Sequence, residues 1–208
     1  MRTPDNPQPL PEELFNRTDE SPDERFYETP RFVAHIDQAT IDALTAFYRE
    51  FLPPHAHVLD LMSSWISHLP EERLLGRVAG LGMNAAELEA NPRLNDYCVH
   101  NLNREPRLPY APATFDRVTI AVSVQYLTRP IEVMTSVHET LRDEGAICIA
   151  MSHRLFPTKA IAAFHHLRAD ERVRLVSHYL TAAGFREVAF LDRSPRAADP
   201  LWLVIGYK

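Results

Sequence analysis

His57-Val58-Leu59-Asp60-Leu61-Met62-Ser63-Ser64-Trp65 sets the frame for reading the whole chain. A short apolar run ends in an acid and then enters a serine-bearing loop. This is the pattern of the first strand of an α/β domain whose first loop holds a ligand. Such a loop normally carries glycine, which lets the backbone approach a ligand closely and adopt positive φ. Here the first glycine of the chain is Gly76. The stretch therefore has the outline of a cofactor-binding fold with an altered loop.

Beyond it, strand and helix signals alternate. Runs at 77–81, 96–100, 117–123 and 146–151 follow 57–61 as strands. Helical spacing falls at 85–90, 131–141, 158–167 and 171–183, the last stopping at Gly184, a natural C-cap. Two more strands, 185–191 and 201–206, are separated by Asp192-Arg193-Ser194-Pro195. Five βα units and a closing hairpin predict a Rossmann-like α/β fold. Its seven-stranded sheet is mostly parallel, with helices on both faces and a C-terminal antiparallel hairpin. Right-handed crossovers put the carboxyl ends of the strands, and any ligand, along one edge.

Upstream, residues 1–24 hold Pro4, Pro7, Pro9, Pro11 and Pro22 among many acids and read as a flexible Pro-rich arm. Residues 25–55 read as a helical cap or lid. Phe26, Tyr27 and Phe32 precede Ile41, Leu44, Phe47, Tyr48 and Phe51 at one-face spacing, and Pro53-Pro54 ends the helix. The remaining 56–208 form the main domain.

At 208 residues and 45% hydrophobic, the chain can bury one substantial core. A net charge of −6 and a pI near 5.9 argue against nucleic acid as a partner. Cys98 and Cys148 lie in apolar runs and read as buried free thiols of a cytoplasmic protein. His165-His166 reads as helix surface. The spacing suggests no metal site, and no run approaches the roughly 18 apolar residues of a membrane span. The polar amino terminus does not read as a leader.

With two antiparallel strands after the fifth βα unit, the chain resembles the class I S-adenosylmethionine-dependent methyltransferases, particularly small type-11-like members. The resemblance runs from about Val58 to Lys208. It rests on Val58-Leu59-Asp60 as first motif, the strand 77–81, Phe115-Asp116-Arg117-Val118 before the fourth strand, and Leu141-Arg142-Asp143-Glu144-Gly145 before the fifth. It implies S-adenosylmethionine as cofactor and in-line methyl transfer to a small-molecule acceptor, catalysed mainly by alignment and desolvation.

The resemblance also assigns positions. Asp60, Leu61, Met62, Ser63 and Ser64 would lie beside the methionine portion, with Met62 and Trp65 covering its apolar parts. Gly82 aligns where the family places the acid that holds the ribose hydroxyls. Met83 would lie against the adenine, and Asn84 caps the next helix. Asn101 replaces an adenine-binding acid and can still accept through its amide oxygen, while the Leu102 backbone donates to the ring. The alternative is that Asn101 and Asn103 cap the loop leading to Pro106.

Ser123, Gln125 and Tyr126 fall in the loop nearest the transferred methyl, where an aromatic ring attracts a sulfonium. His153 is the expected general base, with Tyr126 as the second catalytic candidate. Arg154 would pair with a substrate carboxylate, and Lys159 would decorate the following helix. Tyr27 and Arg31 would bind substrate from the lid, and His68 follows the altered loop. The missing glycines and ribose acid also fit two alternatives. One is a S-adenosylmethionine-binding enzyme with other chemistry at the sulfonium; the other is a non-catalytic methyltransferase-like binding protein.

Overall fold

The computed structural model describes residues 10–208, so Pro4, Pro7 and Pro9 of the expected arm lie outside the described residues. Seven strands form one sheet: β1 (Val58–Ser63), β2 (Val78–Gly82), β3 (Asp96–Val99), β4 (Phe115–Ala121), β5 (Leu141–Met151), β6 (Arg186–Asp192) and β7 (Trp202–Tyr207). Their order is β3-β2-β1-β4-β5-β7-β6. The first five run parallel, and β7 lies antiparallel between β5 and β6. The helices are α1 (Asp23–Tyr27), α2 (Gln38–Phe51), α3 (Ala85–Glu89), α4 (Pro130–Thr140), α5 (Ala162–His166) and α6 (Ala169–Ala182). Strand order reverses at β1, between β2 and β4, which opens a crevice at their carboxyl ends.

The alternation of strand side chains divides the core in two. Ile147, Ile149 and Met151 of β5 join Leu59, Leu61 and Ile120 in packing with Val133, Val137, Tyr179 and Leu180 of α4 and α6. On the other face, Ala146, Cys148 and Ala150 pack with Val58, Val78 and Leu203 against Leu44, Phe47, Tyr48 and Phe51 of α2. The small residues on this face of β5 leave room for the α2 aromatics. Asp37 starts α2 by accepting from the Thr40 amide. Gly184 ends α6 with φ of 95°, the conformation that favours glycine there.

Two of the sequence signals prove to be structural staples. Asp116 accepts from the His57 amide at 2.7 Å and pairs with Arg142 at 3.0 Å. They join β1, β4 and β5 at the end of the sheet away from the crevice.

Several expectations change. The stretch 10–24 of the expected flexible arm is built into the body. Its prolines prevent long regular elements, but Leu10, Leu14 and Phe15 pack on the larger core, and Arg17 bridges Ile161. The helix expected at 158–167 shrinks to Ala162–His166, because the chain first makes turns through Pro157 and Lys159. Cys148 is buried, but Cys98 on edge strand β3 is only half-buried. Among the described residues, no helix is long and apolar enough to cross a membrane.

Candidate functional site

A cavity opens at the carboxyl ends of β1, β2 and β4 and is roofed by the strap that runs from Arg17 to His35. Asp60, Met62, Ser63, Ser64, Gly82, Met83, Asn101, Leu102, Ser123, Tyr126, Tyr27 and Arg31 all line it. Most of the residues expected at the site therefore come together. His153, Arg154, Gln125 and Trp65 are not among its lining residues.

The floor begins with Asp60, which is 3% exposed. Its carboxylate accepts from the Ser63 hydroxyl at 2.5 Å, the Ser67 hydroxyl at 2.6 Å and, more weakly, Thr119 at 3.4 Å. These bonds tie the loop down, so Asp60 acts first as its anchor. Burial pushes the Asp60 carboxyl up to about 6, against the opposing pull of the three hydroxyls. A folded carboxyl above its ordinary value of 3.8 contributes stability that is whole below about pH 4 and lost as pH rises through about 6. Asp60→Asn keeps an acceptor for the serines and removes this loss. Relative to wild type, it should therefore gain roughly 3 kcal/mol between pH 4 and 7.5 in denaturant unfolding. A difference that stays flat across that range would count against a buried, strained carboxylate.

Next to Asp60, the chain does without glycine by accepting strain. Met62 has φ of 59° and lies at a register shift between Leu61 and Ser63. His68 (55°) and Val122 (43°) are also left-handed and also line the cavity. A β-branched residue with positive φ is a genuine outlier. Backbone strain gathered around one cavity is a mark of a functional site.

The bulge at Met62 explains Gly82. A Cβ at residue 82 would lie 2.2 Å from the Ser63 carbonyl oxygen and 3.1 Å from the Leu88 side chain. No acid fits there while β1 ends this way. The glycine-free loop and the missing acid are thus one structural change. A carboxylate still reaches the same region from α3. Glu87 is 7% exposed and lines the cavity. It accepts from the Ser64 hydroxyl at 2.5 Å and from the Arg31 amide at 2.7 Å. Asn84 caps α3 by accepting from the Glu87 amide, as expected, and donates to the Tyr27 and Glu28 carbonyls of the strap.

Asn101 takes the loop-capping alternative. Its oxygen accepts from the Asn103 and Arg104 amides, and its NH2 donates to Glu24. Adenine recognition by that oxygen is pre-empted in this arrangement. Asn103 links the strap to the next loop through Asp23, the Tyr126 carbonyl and Thr128.

The expected catalytic pair does not form. His153 is half-exposed, with Nε2 3.3 Å from Asp199, and Arg154 grips the same carboxylate at 3.1 Å. The β5 loop turns them toward the segment before β7, so neither base nor carboxylate clamp reaches the cavity. Gln125 is buried and donates to the Val122 and Arg154 carbonyls, which makes it a loop brace. Trp65 donates to the Val33 carbonyl and holds the strap from outside. Tyr126 remains in the cavity wall, stacked on Phe156 at 5.7 Å, with its hydroxyl accepting from the Phe156 amide. Burial raises its pKa, so it is a donor and a surface and not a base.

The main residue misread in the sequence is Lys159. Far from decorating a helix, it is 1% exposed. Its ammonium group meets Asp19 at 3.1 Å and Asp23 at 3.3 Å, and donates to the Ser21 carbonyl at 2.7 Å. Arg17 shares Asp23 at 2.7 Å. This buried cluster pins the strap over the cavity. His68 also lines the cavity, and burial lowers its pKa to about 4, leaving the ring neutral. His35 is shifted down by burial as well. Among the described residues, no group of His, Cys, Asp and Glu could hold a metal ion.

The fold, with this strand order and closing hairpin, matches a large set of solved structures. The chain is similar to an S-adenosylmethionine-dependent methyltransferase from Mesorhizobium loti. The TM-score is 0.59 at 16% identity over 81% of this chain and 100% of that one. The chain has the fold of the class I S-adenosylmethionine-dependent methyltransferases. The cyclase SpnF shares this methyltransferase fold, at a TM-score of 0.62 and 14% identity over 80% of this chain and 81% of that one. So does phosphoethanolamine N-methyltransferase 2 of Haemonchus contortus in complex with S-adenosyl-L-methionine, at 0.59 and 12% over 80% and 52%. No protein-family model and no curated protein matches the sequence.

Proposed function

We propose that the protein binds S-adenosylmethionine in the edge cavity and methylates a small-molecule acceptor. The observation that carries this reading is the pairing of Gly82 with Glu87. Where the strand end cannot hold an acid, a buried carboxylate lines the same crevice from the next helix. Glu87 would take the ribose hydroxyls, because a carboxylate already accepting two hydrogen bonds keeps further lone pairs free. Ser63, Ser64 and the Met62 backbone would hold the methionine portion, with Met83 and Leu102 against the adenine. Ser123 adds a buried hydroxyl with no partner among the described residues at the wall of the cavity. When bound, S-adenosylmethionine supplies an electrophilic methyl group. The protein aligns the acceptor and excludes water, which is how this geometry would accelerate transfer.

Titration with S-adenosylhomocysteine tests the assignment. Glu87→Ala should weaken binding by about 10- to 100-fold, the scale of lost hydrogen bonds to a charged group. His153→Ala should leave binding unchanged. Equal affinity in wild type and a folded Glu87→Ala variant would remove Glu87 from the site.

A second reading rests on Asn101, whose amide oxygen is fully engaged by the Asn103 and Arg104 amides of its own loop. The cofactor would then sit in another pose and serve chemistry other than methyl transfer, as the fold of the cyclase SpnF permits. Product analysis separates the two: methylated acceptor supports transfer, and cofactor bound but unconsumed supports the second reading.

A further inference from the structure

The cofactor assignment leaves part of the cavity lining unused, the aromatic side around Phe156. Phe156 is its hub. Tyr126 stacks on it at 5.7 Å, His35 meets its edge at 5.2 Å, and Phe26 approaches at 5.3 Å. Arg31 lies across this aromatic group, with its guanidinium carbon 4.3 Å from the Phe26 ring centre and 5.6 Å from that of Phe156. Among the described residues its side chain makes one hydrogen bond, a long one of 3.4 Å to the Thr29 carbonyl. Among the described residues no carboxylate pairs with it, although Arg17 and Lys159 in the same wall are both paired.

A half-buried guanidinium lying over two rings, and left without a counter-charge among the described residues, is arranged to receive an anion in two parallel hydrogen bonds. His68 supplies a second feature. It lines the same cavity, and its Nδ1 is buried with no hydrogen-bond partner among the described residues. Leaving such an atom unpaired is costly, so a ligand group belongs there. In a neutral imidazole one nitrogen donates and the other accepts, and a hydroxyl can answer either need.

We infer that this aromatic side of the cavity binds an aromatic hydroxycarboxylate as the methyl acceptor, with its carboxylate on Arg31, its hydroxyl on His68 and its ring among Phe156, Tyr126 and Tyr27. The hydroxyl oxygen would take the methyl as the methyl–sulfur bond breaks, S-adenosylhomocysteine would leave, and the hydroxyl proton would pass through His68 to water. This inference rests on the proposed function and adds the class of substrate. Flat walls select a planar body, Arg31 selects the charge, and His68 selects the hydroxyl. An uncharged analogue would leave Arg31 unanswered.

The test is calorimetric titration of protein already saturated with S-adenosylhomocysteine. The probes are 4-hydroxybenzoate, benzoate and 4-hydroxybenzyl alcohol. The expected order is 4-hydroxybenzoate first, with each single-feature analogue weaker by about 10-fold or more. Arg31→Gln should abolish the preference for the acid over the alcohol, and His68→Gly should abolish the preference for the hydroxyl. Glycine is chosen because it removes the imidazole without supplying another hydrogen-bonding group and tolerates the left-handed backbone at this position. S-adenosylhomocysteine itself should bind both variants as it binds wild type, which also shows that they are folded.

A parallel titration with 5′-methylthioadenosine, which lacks the amino-acid portion, identifies the source of any carboxylate. If Arg31→Gln weakens S-adenosylhomocysteine but not 5′-methylthioadenosine, Arg31 holds the cofactor's carboxylate and the inference is overturned while the cofactor reading stands. Binding of S-adenosylhomocysteine with no binding of any carboxylate probe overturns it as well. Failure of S-adenosylhomocysteine to bind wild type is instead the failure of the proposed function, and removes both.

Discussion

Gly82→Asp, which restores the acid that the methyltransferase family carries at this strand end, is expected to damage the protein. The new Cβ would meet the Ser63 carbonyl at 2.2 Å, and that oxygen is backbone, so no side-chain rotation relieves the clash. Relief requires β1 to be rebuilt around Met62, where the strand already carries a left-handed residue and a register shift. Overpacking of this kind costs about 3 kcal/mol, which for a chain of this size lowers Tm by about 6–12 °C. Affinity for S-adenosylhomocysteine should fall with it. Gly82→Ala carries the same Cβ without the charge and should lose nearly as much stability. Thermal unfolding of the two variants separates steric from electrostatic causes. If Gly82→Asp melts with the wild type and binds more tightly, β1 and residue 82 are not coupled as described.

Lys159→Met should produce a loss of similar size by a different route. The substitution preserves most of the side-chain volume and removes a charge that serves Asp19, Asp23 and Ser21 at once. Asp23 keeps Arg17 and Asn103, which softens the effect, yet breaking a buried ion pair from one side still costs about 3 kcal/mol. The loss should be concentrated in the strap. Limited proteolysis should therefore cut the variant first within 10–35, and ligand affinity should fall as the roof loosens. A variant as stable and as protease-resistant as wild type would return Lys159 to an ordinary surface role.

The fold was legible because its signals are local. Alternating apolar strand-like and helical runs, Gly184 at a helix end and the hairpin after 185 specify a mostly parallel sheet closed by an antiparallel pair, while the order of its strands comes from the structure. The floor of the cavity was legible for the same reason, since Asp60 to Ser64 and Gly82 to Asn84 follow directly from strand ends. Residues held by long-range partners were not legible. Lys159 reads as a helix-surface lysine because its acids lie about 140 positions earlier in the sequence. His153 and Arg154 looked free until the approach of Asp199. Glu87 sits in a short helix among alanines and leucine, where an acid usually means solvent; only the space left by Gly82 gives it a purpose. Asp60 lies in the cavity floor, and its first duty is to the serines of its own loop.

The most direct test of the central claim is a crystal structure of the protein saturated with S-adenosylhomocysteine. The account predicts ligand density across the carboxyl ends of β1, β2 and β4, with the ribose hydroxyls on the Glu87 carboxylate. A cavity free of the ligand, or a ligand whose ribose lies away from Glu87, would contradict it.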